Sequence, residues 1–253
     1  MEIQVLGSYG GESPGRRMTS LLINGTVALD AGSLSQALEI DQQVGVRAIV
    51  LTHSHMDHIN SLPFFIENVY GKGEGAIDIY SSAATIYAIR KYLFNNATWP
   101  DFTRLPNHLL PAMRFHELQE GVAVTVEGVR FTPIPVHHVV PTQGFLIEQD
   151  GAAVLWSSDT GPTHRLWEVA NSTPGLAALA IETSFDNSMQ RIADLSLHLT
   201  PHDLEVELAK LERRVPILVH HLKPPCIDRI RQELRAHKNP DLELLEQGRT
   251  YMF

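Results

Sequence analysis

The segment Thr52-His53-Ser54-His55-Met56-Asp57-His58 gathers three imidazoles and one carboxylate at a spacing that suits metal binding. In an extended stretch, side chains two apart point the same way, so His53 and His55 can share one cation. Where the chain turns into a helix, the adjacent Asp57 and His58 can face a second. Imidazole and carboxylate donors without thiolate suit zinc, manganese or iron, and zinc is the usual occupant of hydrolytic sites built from nitrogen and oxygen. Elsewhere the chain carries two His-His pairs, His137-His138 and His220-His221, and a Ser157-Ser158-Asp159 turn. Such pairs alone are more often satisfied interior or surface groups. His108, His116, His164, His202 and His237 read as surface histidines.

The elements around these residues place them at strand ends. Strand-like stretches are expected at 3–6, 21–23 and Val27–Leu29 around the Asn24-Gly25 turn, at 48–52 and at 77–80. Two hairpins follow: 122–126 with 129–134 across Glu127-Gly128, and 144–148 with 154–156 across Asp150-Gly151. The chain turns into an amphipathic stretch at 59–69, and helical periodicity marks 82–94, 201–213 with Pro201 placed to start the helix, and 226–237. A buried strand is expected at 215–219. Strands lead and helices follow in each half, which predicts an α/β (α+β) architecture of two sheets packed together with helices outside. No linker or repeat divides the chain, so one domain over 1–253 is expected.

The 52–58 motif resembles that of the metallo-β-lactamase superfamily, and the resemblance implies an αββα sandwich of two mixed sheets flanked by helices, with a dinuclear metal site at the sheet edge. It also implies where the remaining ligands lie. Pro135-Val136-His137-His138, with its step to Gly144, supplies His138; Ser157-Ser158-Asp159-Thr160 supplies a bridging Asp159; Leu218-Val219-His220-His221 supplies His221. The first metal then takes His53, His55 and His138, the second takes Asp57, His58 and His221, and Asp159 bridges. His137 and His220 are expected to point away. Ser158 stands where glycine is common before the bridging aspartate.

Within the superfamily the chain is most similar to the class II 3′,5′-cyclic-nucleotide phosphodiesterases. The shared segments are the metal motif, Tyr92-Leu93-Phe94-Asn95-Asn96-Ala97-Thr98-Trp99-Pro100, Gly144-Phe145-Leu146-Ile147, Glu182-Thr183-Ser184-Phe185, His198-Leu199-Thr200-Pro201 and His221-Leu222-Lys223-Pro224. The resemblance implies hydrolysis of cyclic AMP or cyclic GMP to 5′-nucleotides by a hydroxide held between two divalent cations, most suitably zinc, with manganese or iron as alternatives. Asp57, His198 and Glu182 are the implied catalytic groups: His198 donates a proton to the leaving alkoxide and Glu182 orients it. Phe94, Trp99 and Lys223 are candidate substrate contacts, Phe94 and Trp99 with Phe102 as a lid or as a core seal. Histidine at 55, rather than glutamate, favours hydrolysis over the redox di-iron branch.

Composition bounds the partners. The chain has 253 residues and a formal charge of −9, with no run of five or more Lys or Arg, which weighs against a large nucleic-acid partner. This also weighs against the competing tRNA 3′-processing endonuclease reading, which would call for a Gly/Pro/Lys-rich arm that is not visible. A non-catalytic sensor of the same fold is the other alternative, opposed by the full ligand set. Cys226 is the only cysteine, which excludes an intrachain disulfide and a four-cysteine zinc site. No apolar run is long enough to span a bilayer, and the first residues lack a secretory pattern. A cytoplasmic location and a small nucleotide substrate are expected, and the family resemblance allows a homodimer.

Overall fold

The computed structural model describes residues 1–73, 75–237 and 239–253. In chain order the strands are β1 (Glu2–Gly7), β2 (Ser20–Ile23), β3 (Val27–Leu29), β4 (Ala48–Val50), β5 (Ile77–Ser81), the short pair β6 (Pro106–Asn107) and β7 (Leu110–Pro111), and β8 (Met113–Glu117). They continue with β9 (Val124–Val126), β10 (Val129–Pro135), β11 (Gln143–Gln149), β12 (Ala152–Trp156), β13 (Leu176–Glu182), β14 (Ile217–His220), β15 (Leu242–Leu244) and β16 (Thr250–Met252). Two seven-stranded sheets result, in the orders β16-β1-β2-β3-β4-β5-β8 and β15-β14-β13-β12-β11-β10-β9. Both are mixed: β3, β4, β5 and β8 run parallel in the first, and β12, β13, β14 and β15 in the second, with antiparallel strands completing each.

Period-two alternation sorts the side chains into three apolar layers. Ala48 and Val50 of β4 and Ala178 and Ala180 of β13 point between the sheets, where they meet Phe131, Phe145 and Trp156. Ile49 and Leu51 point outward under helix Leu62–Val69, whose Leu62, Phe65 and Ile66 complete the outer layer. On the other side Leu179 and Ile181 pack under helices Arg165–Ser172 and Ile227–Ala236. The αββα sandwich expected from the sequence is the observed fold. Among the described residues no helix is long and apolar enough to cross a membrane.

Several boundaries differ for physical reasons. The helical stretch at 59–69 is two pieces, Met56–Ile59 and Leu62–Val69. Between them Ser61 turns its buried Oγ to accept from Leu34 N at 2.7 Å and donate to Ala31 O at 2.7 Å. The strand at 48–52 ends at Val50 because Thr52 N donates to the Asp30 carboxylate, at 2.8 Å, instead of continuing the ladder. The helix expected over 201–213 stops at Leu208, and the strand expected at 215–219 occupies Ile217–His220, just past Pro216, which lacks an N–H. Strands β8, β15 and β16 and helix Arg165–Ser172 carried no periodic signal strong enough to mark them; the three strands lie at sheet edges.

Candidate metal centre

Parallel strands send their carboxyl ends to the same edge, and here they deliver most of the chemistry. His53 follows β4, Asp159 follows β12, Glu182 ends β13 and His221 follows β14, while His138 lies in the connection between β10 and β11. The backbone pays a conformational cost to present them: Asp30, Ser158 and His221 all hold left-handed φ values, of 59°, 56° and 64°. Ser158 thus adopts the turn for which glycine is the easier residue. Close backbone approach also matters, since a Cβ at Gly10 would lie 2.5 Å from His221 Cε1, and one at Gly32 would lie 2.1 Å from the Asp57 carbonyl oxygen.

Two donor sets share Asp159. His53, His55, His138 and Asp159 offer ligand atoms within 4.8 Å of one another, and so do Asp57, His58, Asp159 and His221. In the first, His138 Nε2 lies 3.2 Å from His55 Nδ1 and His53 Nε2 lies 3.7 Å from Asp159 Oδ2. In the second, His221 Nε2 is 3.2 Å from Asp159 Oδ2, 3.3 Å from Asp57 Oδ2 and 3.4 Å from His58 Nε2. The buried His53 Nε2 and Asp159 Oδ1 have no hydrogen-bond partner. Buried polar atoms without partners are costly, and a cluster of converging lone pairs is relieved by a cation; the residues present therefore fit metal binding.

Electrostatics point the same way. Burial, reinforced by the neighbouring His58, pushes His53 well below the usual imidazole range; burial lowers His55 and takes His138 down to about 4. Burial would raise Asp57 and Asp159, but the imidazoles around them outweigh it and hold both carboxyls below their ordinary range. His58 is the exception. Burial would lower it, yet Asp159 and Asp30 on either side raise it, and the same two carboxylates that favour a proton there favour a cation.

A supporting shell holds these groups. Asp30, fully buried after β3, accepts from His58 Nδ1 at 2.7 Å and from Thr52 N and Oγ1, so His58 presents Nε2 to the cluster. The His138 Nδ1–H donates to Leu197 O at 3.0 Å. His198 Nδ1 lies 2.6 Å from Glu182 Oε1, and Glu182, His198 and His221 form a third convergent group. Burial works against the charged form of His198, but the Glu182 carboxylate outweighs it and raises the imidazole. Sequence reasoning missed Asp30 and Ser184; a strand-end Asp before Ala31-Gly32 was the available signal for the first.

The remaining candidates belong to neither donor set. His137 is exposed, and His220 is fully buried, stacked on Trp156 at 3.9 Å. Lys223 Nζ lies 3.3 Å from Asp57 Oδ2. Of the lid and core-seal readings of the 94–102 aromatics, burial supports the seal for Phe94 and Phe102, which are 2% and 6% exposed and belong to the outer core layer. Trp99 is partly buried against the same layer, edge-on to Phe64 at 5.0 Å.

Comparison with known proteins identifies the family. The family described as "Beta-lactamase superfamily domain" matches residues 20–221. A "Probable 3',5'-cyclic-nucleotide phosphodiesterase" of Yersinia pestis is 26% identical over 100% of this chain and 89% of its own length. A ribonuclease Z of Mycobacterium marinum is 25% identical over 70% of this chain and 68% of its own. Unliganded yeast PDE1 shares the fold, with a TM-score of 0.82 at 17% identity over 98% of both chains. The match spans the first sheet's inner strands through the last histidine of the cluster, and the chain belongs to the metallo-β-lactamase superfamily.

Proposed function

We propose that this chain is a metal-dependent phosphodiesterase, one domain over residues 1–253, that hydrolyses 3′,5′-cyclic nucleotides to 5′-nucleotides. The observation that carries this reading is the pair of donor sets sharing Asp159 with Glu182 and His198 alongside. His53, His55, His138 and Asp159 would hold one divalent cation, and Asp57, His58, His221 and Asp159 the other. Zinc suits this nitrogen/oxygen set, and manganese or iron is also compatible. When bound, such a pair supplies a nucleophilic water at neutral pH and neutralises charge on phosphoryl oxygens.

The chain's own residues supply the rest. Two divalent cations held there, against the carboxylates of Asp57 and Asp159, would leave a net positive site that favours an anionic phosphodiester. Glu182 accepts from Thr160 N at 3.0 Å as well as from His198, so its carboxylate is fixed before substrate arrives. With Nδ1–H held there, His198 keeps Nε2 to give a proton to the 3′-oxygen as its bond to phosphorus breaks. Lys223 positions Asp57 in this reading, and Trp99 is the one aromatic of the 94–102 segment left as a base contact.

Relatives named as cyclic-nucleotide phosphodiesterase and as ribonuclease Z support a phosphodiester substrate. The formal charge of −9 favours the small substrate over tRNA. A hydrolysis panel of cyclic AMP, cyclic GMP, an aryl phosphodiester and precursor tRNA, each in zinc and in manganese, decides. Turnover of the cyclic nucleotides is expected; turnover of the aryl ester alone overturns the cyclic-nucleotide assignment, and tRNA cleavage in its place establishes the nuclease.

A further inference from the structure

Ser184 is fully buried two residues beyond Glu182, and its hydroxyl has an unusual set of neighbours. Oγ lies 2.8 Å from Glu182 Oε2, 2.8 Å from His221 Nδ1, 3.2 Å from His198 Nδ1 and 3.2 Å from the His221 carbonyl oxygen. A hydroxyl has one proton and two lone pairs, and the neighbours leave little choice in how they are used. Glu182 offers only acceptors, because it already takes the Thr160 N–H and the His198 Nδ1–H. The Ser184 proton therefore goes to Glu182 Oε2; any other choice sets two lone pairs against each other at 2.8 Å. Oγ then has lone pairs free, and the group facing one of them is His221 Nδ1, which must carry the proton. With a cation held in the second donor set, an imidazole protonated on Nδ1 would turn a bare Nε2 towards it. That nitrogen is the one lying 3.2 Å from Asp159 Oδ2 and 3.3 Å from Asp57 Oδ2.

We infer that Ser184 is a positioning residue that fixes the tautomer of His221, leaving Nε2 free for the second cation, while the same hydroxyl orders the carboxylate behind His198. The inference rests on the two-cation reading above and adds to it a single bridge between the second donor set and the proton-donating pair. Asp30 plays the matching part for His58, but it touches neither Glu182 nor His198 among the described contacts. Ser184 Oγ contacts both the second donor set, at His221, and the proton-donating pair, at Glu182 and His198.

Two measurements with zinc as the only added ligand test this. Long-range nitrogen–proton NMR of the wild-type imidazoles, with His221→Gln identifying the resonance, should show His221 protonated on Nδ1; protonation on Nε2 overturns the inference without any Ser184 variant. Calorimetric zinc titration, with bound metal counted after dialysis, should show Ser184→Ala losing about 10- to 100-fold in affinity for one ion and keeping the other. Ser184→Cys, close in size but a poor acceptor, should behave the same if the alanine variant folds badly. Wild-type affinity for both ions in a folded variant overturns the bridge and leaves the phosphodiesterase reading standing. A wild-type chain that takes up fewer than two zinc ions overturns the two-cation centre and the bridge with it, whatever the substrate panel shows.

Discussion

His198 and Glu182 carry the most specific chemical expectation, because the proposed function gives their 2.6 Å pair proton donation and leaves metal binding to the other residues. His198→Ala should lower kcat by about 10²- to 10⁴-fold, the usual contribution of a positioned acid, with the metal content unchanged; full turnover in a metal-replete variant rules the role out. Glu182→Gln tests the pairing by a shift of pH. The carboxylate raises His198, so its removal leaves the imidazole protonated only to a lower pH. The alkaline limb of the kcat profile should therefore move down in pH relative to wild type, and an unmoved limb assigns the proton to another group. His198 and Glu182 were legible as candidates because their segments at a strand end and a helix start resemble those of the phosphodiesterase branch. Asp30 and Ser184 were not, because their importance exists only where chain segments far apart in sequence meet: Asp30 reaches His58 across 28 positions and Ser184 reaches His221 across 37.

Among the segments, the helix at Ala83–Tyr92 and the loop after it show why local sequence leaves two readings open. Phe94, Trp99 and Phe102 stand among Asn and Pro residues, a composition that suits a mobile flap as well as an anchored one. The deciding quantity is burial, a tertiary property: Phe94 contacts the outer layer beneath helix Leu62–Val69 and meets Phe102 at 6.2 Å, edge to face. Phe94→Ala should cost about 3–5 kcal/mol of stability, as core aromatic truncations do, and leave KM close to wild type; a raised KM at unchanged stability restores the lid. The loop that carries Gly10 is the opposite case, where a segment with no chemistry of its own constrains the site. A methyl at residue 10 would strike the His221 ring, so Gly10→Ala should weaken metal retention against a graded chelator even though no ligand is altered. Unchanged retention would mean that the loop yields instead.

Across the molecule, two mixed sheets place their parallel halves so that carboxyl ends from both converge on one edge. The architecture was foreseeable from alternating strand patterns and strand-end histidines; the edge strands β15 and β16, three residues each, were too short to leave a periodic trace. Convergence has a thermodynamic consequence. His53, His58, Asp159 and His221 are buried together, with imidazole nitrogens 3.2–3.7 Å from carboxylate oxygens or from one another. A ligand that binds only the folded state stabilises it by RT ln(1 + [L]/Kd), about 2.7 kcal/mol at a hundredfold excess over Kd. At roughly 2–4 °C per kcal/mol for a chain of this size, chelation should lower Tm by about 5–10 °C, and readdition of zinc or manganese should restore it. Asp30→Asn and Ser184→Ala should narrow that gap between loaded and stripped protein, since each weakens binding through a ligand it supports. His198→Ala should leave the gap intact. A stripped protein that melts where the loaded one does would mean that the cluster is held by the fold alone and gains nothing from a cation.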